Sequence, residues 1–248
     1  GNERPTDVGD LGEYNVKVAS FNVENYSGTD EVKRTKVTAA LKTMNADIYA
    51  LAELLSNDAL KDLCASLNKA FGMDDTYKYI LNKNVHQAMN GFIYNSSKCS
   101  PYKELQLNNH ADNGYLPHRK IAQAFNLKSN NERFIICLNH WKAKSKDIIG
   151  IYADIGDGQG SHVLRRIHEA EATLTFLREI TTYYDDPDVL VVGDLNAYTQ
   201  EDPIRILEEG GLVNQLQKYT PDGYSYAYFS NGSNAVGYLD HSFATASL

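Results

Sequence analysis

The chain has 248 residues, 42% hydrophobic and 23% charged, enough for one large domain or two small ones. Its formal net charge is −8, which argues against a broad basic surface, so contact with a polyanion has to use a local patch or metal ions. No apolar run approaches the ~20 residues that span a bilayer. The three cysteines, Cys64, Cys99 and Cys137, form no C-x-x-C pair and argue against a disulfide framework or structural zinc.

Residues 1–14 are polar and aperiodic and read as a tail. Residues 16–21 alternate as a strand, followed by Asn22, Val23, Glu24 and Asn25. Thr29 or Asp30 caps a helix running to Met44, with Val37, Ala40, Leu41 and Met44 on one face. Residues 47–52 form a second apolar strand that Glu53 terminates. The next helix starts from Ser56 or Asn57, buries Leu60, Leu63, Cys64, Leu67 and Phe71, and stops at Gly72.

A run of strands is expected over residues 77–81, 91–94, 102–107, 121–127 and 133–138, separated by polar turn segments such as 108–113. Residues 139–144, Asn-His-Trp-Lys-Ala-Lys, close the run. The glycine-rich stretch 154–161 reads as a mobile loop, and residues 162–183 as the longest helix. Residues 189–197 are the stretch around which the chain is organised. An apolar run ends in Gly193, and Asp194 and Asn196 follow, two apart and so on the same side of extended backbone. A short helix to Glu209 and strands near 224–229 and 236–244 complete the reading. One α/β domain over residues 15–248 fits this order.

Several strands end in residues able to bind metal or phosphate: Asn22, Glu53, His140, and Asp194 with Asn196. Singly, each also reads as a turn cap, a solvated strand end or a core histidine. Together, hard oxygen ligands such as Glu53 and Asp194 suit Mg²⁺ or Mn²⁺. A carboxylate can hold an attacking water while an imidazole and amides stabilise charge on phosphate oxygens. No serine–histidine–aspartate arrangement or nucleotide-binding glycine loop stands out.

Five segments carry a resemblance to a known family. They are residues 19–25 (Ala-Ser-Phe-Asn-Val-Glu-Asn), Glu53, 139–144, 193–197 (Gly-Asp-Leu-Asn-Ala) and 238–241 (Tyr-Leu-Asp-His). In order and spacing they resemble the endonuclease/exonuclease/phosphatase superfamily. Within it the chain is most similar to extracellular bacterial nucleases, through Asp157-Gly158-Gln159-Gly160 before a helix with Arg166, Glu201-Asp202-Pro203-Ile204, and Tyr224-Ser225-Tyr226.

The resemblance implies a DNase I-like, four-layer α/β/β/α sandwich and a Mg²⁺-dependent (or Mn²⁺- or Ca²⁺-dependent) hydrolase. The implied enzyme is an exported nuclease (periplasmic, surface or extracellular) acting on DNA and on RNA. Glu53 would ligate the metal with Asn22 beside it. Asp194 would orient or deprotonate the water, Asn196 would hold a phosphate oxygen, and His140 would donate to the phosphate. Asp240 would serve the catalytic centre, and Arg119, Lys142 and Lys144 would bind phosphate. The aromatic run Tyr224, Tyr226, Tyr228 and Phe229 reads either as base-stacking or as strand core.

The sequence departs from the family in one respect. The family's Asp at the position of Asp240 hydrogen-bonds a later histidine in a Ser-Asp-His-x-Pro motif, which residues 241–248 do not contain. His241 directly follows Asp240 and points to the other face of a strand, so it is not assigned that role. The favoured expectation is a domain lacking its last strands. The alternatives are a rearranged member, a phosphoesterase for a small or lipid headgroup substrate, or a non-catalytic binding module.

Overall fold

A computed structural model describes residues 14–83, 89–110, 119–144, 149–220, 226–230 and 233–248. The chain divides into two compact units, one of Gly1–Tyr102 with Phe125–Arg133, the other of Lys103–Ala124 with Phe134–Leu248. The expected tail over residues 1–13, part of the expected turn after Asn108, and Tyr224 and Ser225 lie outside the described residues.

The first unit holds β1 (Val18–Tyr26), α1 (Glu31–Met44), β2 (Ile48–Leu54), α2 (Asn57–Phe71), β3 (Tyr77–Ile80) and β4 (Met89–Asn95). Its sheet runs β1-β2-β4-β3, with β1 parallel to β2 and the other pairs antiparallel. The helices start where the sequence signals them. Asp30 accepts from Lys33 N at 3.0 Å and Ser56 from Ala59 N at 3.0 Å, each satisfying an orphan donor of a first turn. The second helix ends on Gly72 at φ +69°, a left-handed cap that costs glycine nothing. Leu41, Leu60, Leu63 and Leu67 from the helices share one core with Leu51 and Ile93 from the strands. Each such leucine contributes about 1.5–3 kcal/mol by leaving water.

The other sheet comprises β5 (Cys99–Leu107), β6 (Lys120–Leu127), β7 (Arg133–His140), β8 (Val189–Asp194), β9 (Val213–Asn214) and β12 (Asp240–Ala244). Its strand order is β5-β6-β7-β8-β12-β9. Between these strands come α3 (Val163–Tyr184), α4 (Asp202–Glu209) and α5 (Gln215–Tyr219), and the hairpin β10 (Tyr226–Ser230) with β11 (Ser233–Gly237) forms a separate sheet. The strand β7 is parallel to β8, and β12 is antiparallel to it. Strand β8 is fully apolar up to Gly193, as befits a strand flanked on both sides.

Some boundaries differ from those expected. Strand β2 does not stop at Glu53 but runs through it to Leu54, and β7 continues through Asn139 to His140. The expected final strand over 236–244 is two strands, because the ladder breaks at Tyr238 and Leu239. There Leu239 O accepts from Leu195 N at 2.9 Å. At the end of the stretch 154–161, Arg166 donates to the carbonyls of Gln159 at 2.8 Å and Ser161 at 2.9 Å, while residues 154–158 are exposed. No helix among the described residues is long and apolar enough to cross a membrane.

Candidate active-site residues

In the first unit, Asn22 and Glu53 meet where the ladder between neighbouring strands β1 and β2 is interrupted, Asn22 within β1 and Glu53 near the end of β2. Asn22 pairs with Ala52, and the register then slips on both sides of β2. The slip puts Glu53 at φ +64°, with Glu24 and Asn25 also left-handed at +52° and +53°. Such backbone costs a non-glycine residue of order 1 kcal/mol or more and marks sites where a side chain must be aimed. The aim here is explicit. Asn22 Nδ2 donates to Glu53 Oε1 at 2.9 Å, and Asn25 N donates to Oε2 at 3.1 Å. Asn22 Oδ1 in turn accepts from Glu24 N at 2.8 Å, so the amide is held from both ends and orients the carboxylate.

Behind this corner, buried Tyr26 donates to Asp62 at 2.6 Å and Arg34 donates to the same oxygen at 2.9 Å. Burial, with Asp62 beside it, raises the Tyr26 pKa. This brace fixes the β1 end.

In the second unit, the strand register aligns His140 with Asp194 and Asp194 with Asp240. The three side chains therefore form one row across β7, β8 and β12. The preceding row is Asn139, Gly193 and His241, which faces the other way by strand alternation. Asn139 Oδ1 accepts from Thr173 of α3 at 3.2 Å and from Trp141 Nε1 at 3.3 Å, so that second row faces the helix.

The turn after β8 is built from polar contacts. Asn196, at φ +49°, gives its N–H to Asp194 Oδ1 at 3.0 Å and its Nδ2 to Trp141 O at 3.0 Å. An amide nitrogen has two hydrogens, so one remains for a ligand. Burial, then the charge of Asp194, pushes the Asp240 carboxyl up to about 7. Both causes disfavour the charged form of Asp240 beside an ionised Asp194. His140 is buried on its strand.

The basic residues divide into two groups. Lys144 Nζ pairs with Glu201 and donates to Gln159 O at 2.5 Å, so its charge is used inside the fold. Burial, then Arg165 and Arg119, lowers the Lys142 pKa, which puts both arginines within Coulomb range of Lys142. Glu169 sits beneath them. Its Oε1 pairs with fully buried Lys120 at 2.6 Å and its Oε2 accepts from Lys142 N at 2.8 Å.

Sequence reading singled out Arg119 and Lys142 but missed Arg165 and the buried Lys120–Glu169 pair. The signal for Arg165 is its place one turn before Glu169 on α3. Among the described residues no group of three or more His, Cys, Asp or Glu side chains forms a metal cluster. A single carboxylate still suits Mg²⁺, which keeps most of its waters and needs one or two protein carboxylates.

Compared with known proteins, residues 19–248 match the endonuclease/exonuclease/phosphatase family. No curated protein sequence matches the chain. Similar solved structures include a Bacteroides thetaiotaomicron mannosyl-6-phosphatase, with 16% identity, TM-score 0.65 and coverage of 94% of this chain and 86% of that one. Another is the human nocturnin catalytic domain with bound sulfate, with 16% identity, TM-score 0.61 and coverage of 93% and 82%. A third is D. rerio TDP2 complexed with single-strand DNA product, with 11% identity, TM-score 0.61 and coverage of 94% and 85%.

Proposed function

The chain belongs to the endonuclease/exonuclease/phosphatase family of hydrolytic enzymes, and from that premise we propose that it is a divalent-metal-dependent phosphodiesterase that cleaves nucleic acid, DNA first and RNA as well. The observation that carries this reading is the row His140–Asp194–Asp240, with Asn196 in the left-handed turn beside it. Glu53, held by Asn22, is the residue for Mg²⁺ or Mn²⁺, and when bound the ion supplies positive charge to the phosphate oxygens. Asp194 holds the water in line and draws its proton, and Asp240 shares that proton load. His140 and the spare Asn196 hydrogen donate to oxygens that gain charge as the phosphorus–oxygen bond breaks. Lys142, with Arg119 and Arg165, offers a local positive patch on a chain of net charge −8. The DNA product in one structural neighbour, and the likeness of the Asp157–Gly160 segment to extracellular nucleases, support this substrate and an exported protein.

A second reading is favoured by the acidic balance and by the neighbour that is a mannosyl-6-phosphatase: a phosphatase for a small sugar phosphate or headgroup. Relaxation of supercoiled plasmid with Mg²⁺ over a salt series separates the two. The nuclease reading expects a rate that falls steeply with salt, because released counterions drive binding. Salt-insensitive hydrolysis of a small monoester, with intact plasmid, would put the second reading in its place.

A further inference from the structure

The turn after β8 aims Asp194 and Asn196 through a left-handed backbone step at Asn196, φ +49°. Its fasteners include the Asn196–Asp194, Asn196–Trp141 and Leu195–Leu239 hydrogen bonds. A further one comes from His241, whose side chain is buried, with the residue 2% exposed, and whose Nε2 lies 2.7 Å from the Ala197 carbonyl oxygen. A carbonyl oxygen only accepts, so Nε2 carries the hydrogen.

The other ring nitrogen, Nδ1, is buried and meets no hydrogen-bond partner among the described residues. It is therefore a bare lone pair, and the ring is the neutral Nε2–H tautomer. Burial pushes the His241 pKa down to about 4, in keeping with that state. The ring is clamped between Tyr238, at 5.0 Å between centroids, and Phe243, at 5.8 Å and 18°. Opposite it on β8 stands Gly193, with no side chain.

A leucine or phenylalanine would fill this apolar slot without the orphaned Nδ1, but would leave the Ala197 carbonyl without its donor. What the imidazole adds is one directed N–H. We infer that His241 is a positioning residue, whose Nε2–H latches the Ala197 carbonyl and thereby fixes the turn that aims Asp194 and Asn196, with no contact to the reacting atoms itself. Its effect on catalysis rests on the phosphoesterase reading; the latch itself does not.

The experiment pairs His241→Gln, which keeps an N–H donor at the end of the side chain, with His241→Leu, which keeps the volume and drops the donor. In the wild type, long-range ¹H–¹⁵N spectra of the imidazole should show the neutral Nε2–H tautomer from about pH 5.5 to 8. In His241→Leu, amide exchange at Leu195 and Asn196 should quicken by about tenfold or more while the β7 and β8 amides keep their protection. With Mg²⁺ present, kcat for phosphoester hydrolysis should fall about ten- to a hundredfold at little-changed KM, and His241→Gln should recover most of it.

A cationic or Nδ1–H imidazole in the wild type would overturn the inference. So would unchanged turn exchange in His241→Leu, or a His241→Gln turn as loose as that of His241→Leu. If His241→Leu does not fold, the wild-type tautomer and His241→Gln exchange decide. If the wild type hydrolyses no phosphoester, the functional reading fails, while the spectra and exchange still decide the latch.

Discussion

Gly193 shows how tightly single residues set this site. Its φ is +133°, and a Cβ added there would lie 1.8 Å from the Asn139 carbonyl oxygen, in the adjacent strand's backbone. No side-chain shift relieves that clash. Gly193→Ala should therefore lose about 4 kcal/mol or more, or fail to fold, in urea unfolding, whereas alanine at exposed Gly158 meets nothing within 4 Å and bears only its left-handed backbone cost. The glycine was legible in sequence as the end of an apolar run; the reason for it was not, because it lies in Asn139, 54 positions away. Asp194 and Asn196 were legible the same way, as polar residues at an apolar strand end, whereas Asn22, read as following a strand over 16–21, lies inside a strand that runs on to Tyr26. The left-handed Glu53 was not legible, since neither glycine nor asparagine announces it and the slip arises from pairing with two other strands. His241 was legible only as a strand residue, because its partner Ala197 becomes a neighbour through the β8–β12 pairing.

At the scale of elements, the row across β7, β8 and β12 ties the site's charge to folding. The Asp240 carboxyl sits near pH 7 in the fold and near 3.8 when unfolded, so the folded state binds its proton more tightly. That contribution is fully present below about pH 4 and is lost as pH rises through 7. Asp240→Asn removes the liability. It should unfold later in urea than the wild type at pH 8, by roughly 2–4 kcal/mol, with the gap closing toward pH 4. His241, common to both proteins, acts with the opposite sign: its pKa falls to about 4, so its stabilisation is present above 6.5 and is lost as pH falls toward 4.

The anchoring of α3 to β6 is a second element-scale device. Lys120 and Glu169 are both buried and 2.6 Å apart. Lys120→Met strands a buried carboxylate and should cost about 3–5 kcal/mol in thermal or urea unfolding. The double variant Lys120→Met, Glu169→Gln should recover most of that, because glutamine keeps an acceptor for Lys142 N. Sequence alone offered no sign of this pair, since a lysine before a strand and a glutamate in a helix read as surface. Helices α1 to α4 were legible to within a residue, because Asp30, Ser56 and Gly72 are local signals, whereas the short helix α5 was not read from the sequence. The break between β11 and β12 was not, because the turn is imposed by Leu195 and not by a Gly-Pro or Asn-Gly signature.

Over the whole molecule, family membership and fold were legible because the chain spreads its polar strand ends through five segments in fixed order. The substrate was less so: composition records only a net charge of −8, while the basic patch around Lys142 is assembled by folding. The central claim is that Asp194 and its row hydrolyse phosphodiesters. The direct measurement is nicking of supercoiled plasmid with Mg²⁺ or Mn²⁺ by the wild type beside Asp194→Ala, with both shown folded. The account predicts nicking by the wild type and a rate at least about a hundredfold lower in the variant, as expected when a group that acts in the transition state is removed. Equal nicking by both proteins would contradict it.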